Sequence, residues 1–96
     1  MNYEHVLSPL KIRNVTLKNR VIRTAHGTSL SMHEPSGLGP GLINYHVARA
    51  KGGVALSIME IASVHTSCHS NLAMYKQGLS DSYGKLMEAV APYDLL

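Results

Sequence analysis

Tryptophan and phenylalanine are absent from this 96-residue chain, and its only aromatic residues are five tyrosines. Large apolar rings therefore cannot anchor a core, and a chain of this length buries only about 60 to 70% of its unfolded surface. Residues 1–96 amount to one modest globular unit at most. Cysteine is nearly missing too. A lone Cys68 excludes an internal disulfide, and the lack of an apolar signal segment at the N-terminus makes the chain read as cytoplasmic. No apolar run approaches the roughly 18 residues of a membrane span, so no membrane partner is expected. Acidic residues are few, six against nine Lys and Arg, for a formal charge of +3. The basic side chains are scattered, with no run longer than two. They read as solvated surface, not as a nucleic-acid footprint. Interdomain linkers, internal repeats and low-complexity tracts are also lacking.

The residues that are present alternate between two periodicities. "LKIRNVTL", Leu10 to Leu17, interleaves apolar and polar side chains around Arg13-Asn14, which predicts a short hairpin. Arg20 to Ala25 is a short strand candidate. "EPSGLGPG", Glu34 to Gly41, is dense in Gly and Pro and predicts an exposed loop, not a phosphate cradle. Beyond Pro40, the helical spacing of Ile43, Val47 and Ala50 predicts a helix over about Leu42 to Lys51, stopped by Gly52-Gly53. "VALSIMEIASV", Val54 to Val64, is nearly continuous in apolar residues apart from Glu60, as expected of a strand covered on both faces. His65 to Asn71 reads as polar loop. Leu79, Tyr83, Leu86, Met87 and Val90 then mark one face of a second helix, closed by Pro92.

Strand, helix, strand, helix is the order of an α/β fold with parallel strands, either an α/β barrel or a doubly wound sheet. Two such units cannot close a sheet, since a complete (β/α)8 barrel takes about 250 residues. Asp94-Leu95-Leu96 falls where a third strand would begin. The chain therefore reads as the N-terminal piece of a longer protein.

Two segments carry a family resemblance. "LSPLKIRNVTLKNRVIRTAHGT" resembles the opening of the old yellow enzyme family of flavin oxidoreductases, in which a capping hairpin leads into the first barrel strand. "NYHVARAKGGVALSIMEIASVH" is similar to that family's first helix and second strand, with a Tyr, an AKGG turn and a Glu in the same order. The likeness extends from Leu7 to about Val90. Its "TAHG" variant is most similar to the branch that contains 2,4-dienoyl-CoA reductase and trimethylamine dehydrogenase.

The resemblance implies a fold: the capping hairpin and first two βα units of a TIM (β/α)8 barrel. It implies an FMN cofactor, NAD(P)H as reductant, and a small-molecule substrate of the enone, dienoyl thioester or amine class. Members of that branch carry an iron–sulfur cluster and FAD in parts of the chain beyond these residues, and a homo-oligomer is compatible with the family. Thr24, Ala25, His26 and Gly27 align with the loop that touches the flavin, and Ile61 with a further contact at the end of strand two. Small residues there let main-chain groups approach the ring. Some relatives have a redox-tuning Cys where this chain has Gly27, so thiol tuning is not expected from that position. Catalytic residues remain unassigned, because the substrate-binding groups, the proton donor and the FMN phosphate site would lie beyond Leu96.

Taken without the family, these features have plainer readings. His26 is a structural histidine bonded to a neighbouring carbonyl, and Glu60 is a buried carboxylate paired with an Arg or a backbone N–H. His65, Cys68 and His69 lack the second matching pair that zinc would require, so no metal is expected. If residues 1–96 were the whole product, they would form a truncated, non-catalytic fragment that associates through open sheet edges. A different α/β binding module, such as a response-regulator-like domain, would require both motif matches to be accidental.

Overall fold

A hairpin leads the chain into two parallel strand pairs backed by two helices. The computed structural model describes residues 2–35 and 37–96. A single helical turn, α1 (Glu4–Leu7), precedes the antiparallel pair β1 (Leu10–Ile12) and β2 (Val15–Leu17). Ile12 faces Val15 across the turn, and Arg13 takes a φ of 53°, a conformation that favours glycine. After β3 (Ile22–Arg23) come α2 (Pro40–Lys51), β4 (Leu56–Ser57), β5 (Ala62–Ser63), β6 (Leu72–Ala73) and α3 (Leu79–Val90). A 3-10 turn over Ala91–Tyr93 follows. β3 pairs in parallel with β4, and β5 with β6.

Proline and paired glycines set the limits of α2. Pro40 occupies the first turn, where no amide donor is needed. At the other end Gly53, at φ +99°, reverses the backbone: its N–H bonds Ala50 O at 3.0 Å and the Val54 N–H bonds Arg49 O at 3.2 Å. This is a Schellman closure. The reversal also joins the two segments that carry the family resemblance, because Asn19 Nδ2 donates to Gly53 O at 2.8 Å. Asn19 Oδ1 in turn accepts the Val21 N–H at 2.9 Å, setting the direction in which β3 begins. The Lys18 ammonium donates to Tyr93 O and ties the hairpin to the turn after α3.

The core lies between α2, α3 and β6. Leu38, Leu42, Ala50, Leu72, Leu86, Val90 and Leu95 form its buried cluster. Four features depart from the sequence reading. First, the Glu34–Gly41 stretch is not simply exposed: Leu38 is 3% accessible, because Gly37 at φ +98° turns the chain so that Leu38 joins the core. Ser36, in the same stretch, lies outside the described residues. Second, the strand expected over Arg20 to Ala25 narrows to Ile22–Arg23. Third, Val54 to Val64 is not one strand; it divides into β4 and β5 on either side of Glu60, whose carboxylate leaves the ladder to bond a neighbouring loop. Fourth, α2 buries Leu42, His46 and Ala50, while Ile43 and Val47 are half-buried flanks. The buried face is thus centred one residue away from the apolar spacing, and a histidine lies within it.

Leu96 bonds through its N–H to Ala55 O at 3.1 Å, and its carbonyl accepts the Ser57 N–H at 2.9 Å. This pairing beside β4 is the one expected of a third strand. No helix among the described residues is long and apolar enough to cross a membrane.

Candidate functional site

β3 stops at Arg23, and the chain leaves its carboxyl end as an irregular, exposed loop through Thr24, Ala25, His26 and Gly27. Two clamps hold this loop. The first is Glu60, a carboxylate only 5% exposed. It accepts the Thr28 N–H at 3.1 Å through Oε2 and the Thr28 hydroxyl through Oε1. Bonds to an ionised acceptor are about twice as strong as neutral ones, so this pair fixes the loop's far end against the end of β4. Ile61, the next residue, has a side chain 68% exposed. Its carbonyl accepts the Leu72 N–H at 3.2 Å, which carries the chain into β6.

The second clamp is Arg23. Its guanidinium donates to Ile58 O at 2.7 Å and to His26 O at 3.0 Å, tying the carboxyl ends of both parallel strands to the loop. Behind it stands Tyr45 of α2, whose hydroxyl lies 3.2 Å from His26 Nδ1. Asn71, ahead of β6, closes the other side: its Oδ1 accepts the Ser29 hydroxyl at 3.5 Å, and a Cβ built on Gly27 would stand 2.3 Å from its Nδ2. Gly27 is thus a close-approach glycine.

The structure therefore gathers Thr24 to Gly27 and the end of β4, next to Ile61, at one edge. The supporting residues Arg23, Thr28, Tyr45 and Asn71 were not singled out from sequence. Tyr45 had a signal in its motif. Arg23, Thr28 and Asn71 had none, since their roles depend on residues far along the chain. The His26 ring does not bond a neighbouring carbonyl as its structural reading expected; its Nδ1 faces the Tyr45 hydroxyl and Arg23, because Arg23 already takes the His26 carbonyl, whereas Glu60 pairs with a backbone N–H as expected.

His46 lies beneath this edge, 1% exposed, with Nδ1 3.1 Å from the Ser57 hydroxyl. Its Nε2 and Arg23 Nε are buried without a hydrogen-bond partner among the described residues. Burial lowers the His46 pKa from its ordinary 6.5; the Arg23 charge adds to this, Glu60 opposes it and Arg49 adds a little more. The unfolded chain takes up this proton near pH 6.5, while the folded state resists it until a lower pH. The contribution of neutral His46 is complete above 6.5 and is lost progressively as pH falls below it. Unfolding free energy should therefore drop between roughly pH 7.5 and 5.5, and His46→Gln should flatten that part of the curve. Denaturant titrations at the two pH values check this, and parallel curves for parent and variant would contradict it.

Among the described residues no group of three or more His, Cys, Asp or Glu could hold a metal ion. His65 Nδ1 instead engages the Ser67 hydroxyl at 2.8 Å and its N–H at 3.1 Å, while Cys68 is exposed.

Comparison with known proteins bears on the family of the chain. The family model described as "NADH:flavin oxidoreductase / NADH oxidase family" matches residues 5–95. An NADH oxidase of Thermoanaerobacter brockii is 32% identical over 96 residues, 96% of this chain. The chain spans 15% of the length of that relative.

Proposed function

Because the chain belongs to the NADH:flavin oxidoreductase / NADH oxidase family, we propose that Thr24 to Gly27 form the flavin-facing loop of an FMN-dependent oxidoreductase. The observation that carries this reading is the free backbone of the loop. The N–H groups of Ala25, His26 and Gly27 have no hydrogen-bond partner among the described residues. Exposed main-chain donors on small residues, at the carboxyl end of a parallel strand, fit the polar edge of an isoalloxazine. Ile61 would add an apolar contact from the end of β4. When bound, FMN supplies hydride transfer from NAD(P)H to an activated alkene such as an enone or dienoyl thioester, or electron uptake from an amine.

What these residues contribute is shape and polarity. Glu60 and Arg23 hold the loop in place from below, Gly27 keeps a side chain out of the ring's path, and His26 offers a polar ring beside it. The hairpin, β3, α2, β4 and α3 serve as the capping hairpin and first two βα units of a (β/α)8 barrel. Several observations support that placement. The β3–β4 pair is parallel and crossed by a helix. Apolar side chains at Ile22, Ile58, Ile61 and Val64 remain exposed. The radius of gyration is 14.7 Å, against roughly 12.5 Å for a closed domain of this length.

Flavin stoichiometry of the full-length protein, read from its visible absorption, tests the assignment. Gly27→Val should lower FMN occupancy at least about tenfold by occupying the ring's approach. The new side chain would also displace Asn71, so the same change is made in an Asn71→Ala background, where that collision is gone. Continued loss of flavin in the double variant supports the loop assignment, and full occupancy in either variant overturns it. The same exposed apolar surface favours one rival, a truncated product without activity. An intact mass of 10.4 kDa with no flavin band would establish that rival.

A further inference from the structure

We propose that Tyr45 is a positioning residue for His26: with Arg23 it holds the neutral imidazole in the tautomer protonated on Nε2, leaving one N–H free to donate to the flavin's polar edge. The inference rests on the flavin-loop reading above, and the geometry that carries it belongs to the protein alone.

Two groups face His26 Nδ1. The Tyr45 hydroxyl is 3.2 Å away and the Arg23 Nη2 is 3.5 Å away. A guanidinium can only donate. If Nδ1 carried the proton, two N–H groups would point at each other; if Nδ1 is bare, Arg23 and the phenol both find an acceptor. Nδ1 is also the only acceptor that the Tyr45 hydroxyl meets among the described residues. The proton of the neutral ring therefore sits on Nε2, and the ring is exposed, with no partner for that nitrogen among the described residues.

Tyr45 has little freedom to give this up. The Arg49 guanidinium stacks on its ring, Cζ 3.4 Å from the centroid, and Arg23 approaches at 5.0 Å. Arg49 also donates to the Tyr45 carbonyl at 3.2 Å, one turn back on α2. A phenol flanked by two cations and fixed on a helix makes a stiff support for a ring on a loop. The alternative tautomer would direct a lone pair, not a donor, at the carbonyl and ring-nitrogen acceptors of an isoalloxazine.

The test is the nitrogen-15 spectrum of the histidines in full-length protein, recorded with and without FMN above the pH at which imidazole charges. His26→Gln supplies the assignment, and sequential backbone-to-ring correlations in the parent supply it independently of any variant. A bare Nδ1 and a protonated Nε2 for His26 are expected in both states. Tyr45→Phe, which keeps the stacked ring, should mix the tautomers, weaken FMN binding about tenfold and shift the flavin midpoint potential. A proton on Nδ1 in the parent, or an unchanged tautomer in Tyr45→Phe, overturns the inference. If the tautomer behaves as stated yet His26→Ala leaves flavin affinity and potential unaltered, Tyr45 still positions His26 but donation from its imidazole to the flavin is refuted, while the backbone reading of the loop stands or falls on the Gly27→Val result.

Discussion

Glu60→Ala should destabilise the loop after β3 more than any other single change there, because it removes the acceptor for both Thr28 donors at once. Glu60 is 5% exposed, so no bulk solvent stands ready to replace the carboxylate. An N–H stranded in such a place costs about 1–3 kcal/mol, and the hydroxyl loses a charge-assisted bond besides. The expected sum is a loss of about 3 kcal/mol in unfolding free energy together with a fall in flavin occupancy, since the loop is no longer pinned to the end of β4. Glu60→Gln retains an acceptor oxygen and should cost about half as much. Denaturant unfolding and flavin titration of the two variants in the full-length protein check the ranking. Equal losses for Ala and Gln would show that charge, not acceptor geometry, holds Thr28.

Leu42→Ala is expected to cost about 2–5 kcal/mol without a specific effect on the flavin. Leu42 is fully buried in the cluster that packs α2 on α3 and β6. Removing its side chain loses the transfer free energy of the deleted carbons and leaves a cavity that fixed helices cannot fill by collapsing. The loop after β3 is held by polar clamps, so flavin binding per folded molecule should stay near the parent value. A loss below about 1 kcal/mol would mean that the helix pair repacks freely. A flavin defect in the folded fraction would mean that core packing and loop geometry are coupled.

The backbone plan was legible because it depends on local rules. Pro40 and Gly52-Gly53 bound α2 by conformational preference, and the hairpin at Arg13-Asn14 follows from alternation across a tight turn. His46 was not legible. Its burial depends on how α2 rotates against Ser57 and Leu86, and the spacing of Ile43, Val47 and Ala50 directs the eye one residue aside. β6 was missed for a related reason: Leu72-Ala73 is too short to announce a strand and becomes one only by pairing with Ala62-Ser63.

The site divides along the same line. That Thr24 to Gly27 are small, polar and placed directly after a strand is a property of the sequence, and with the motif around Tyr45 and Gly52-Gly53 it identifies the family. Which groups hold that loop was decided only by tertiary structure. Glu60 reaches Thr28, Tyr45 reaches His26 and Asn71 lies against Gly27. These partners are many residues apart, and only the closing of β3 onto β4 beneath α2 brings them within hydrogen-bond range. Local preference acts over a few bonds of chain, whereas the polar contacts that orient a binding loop act through space.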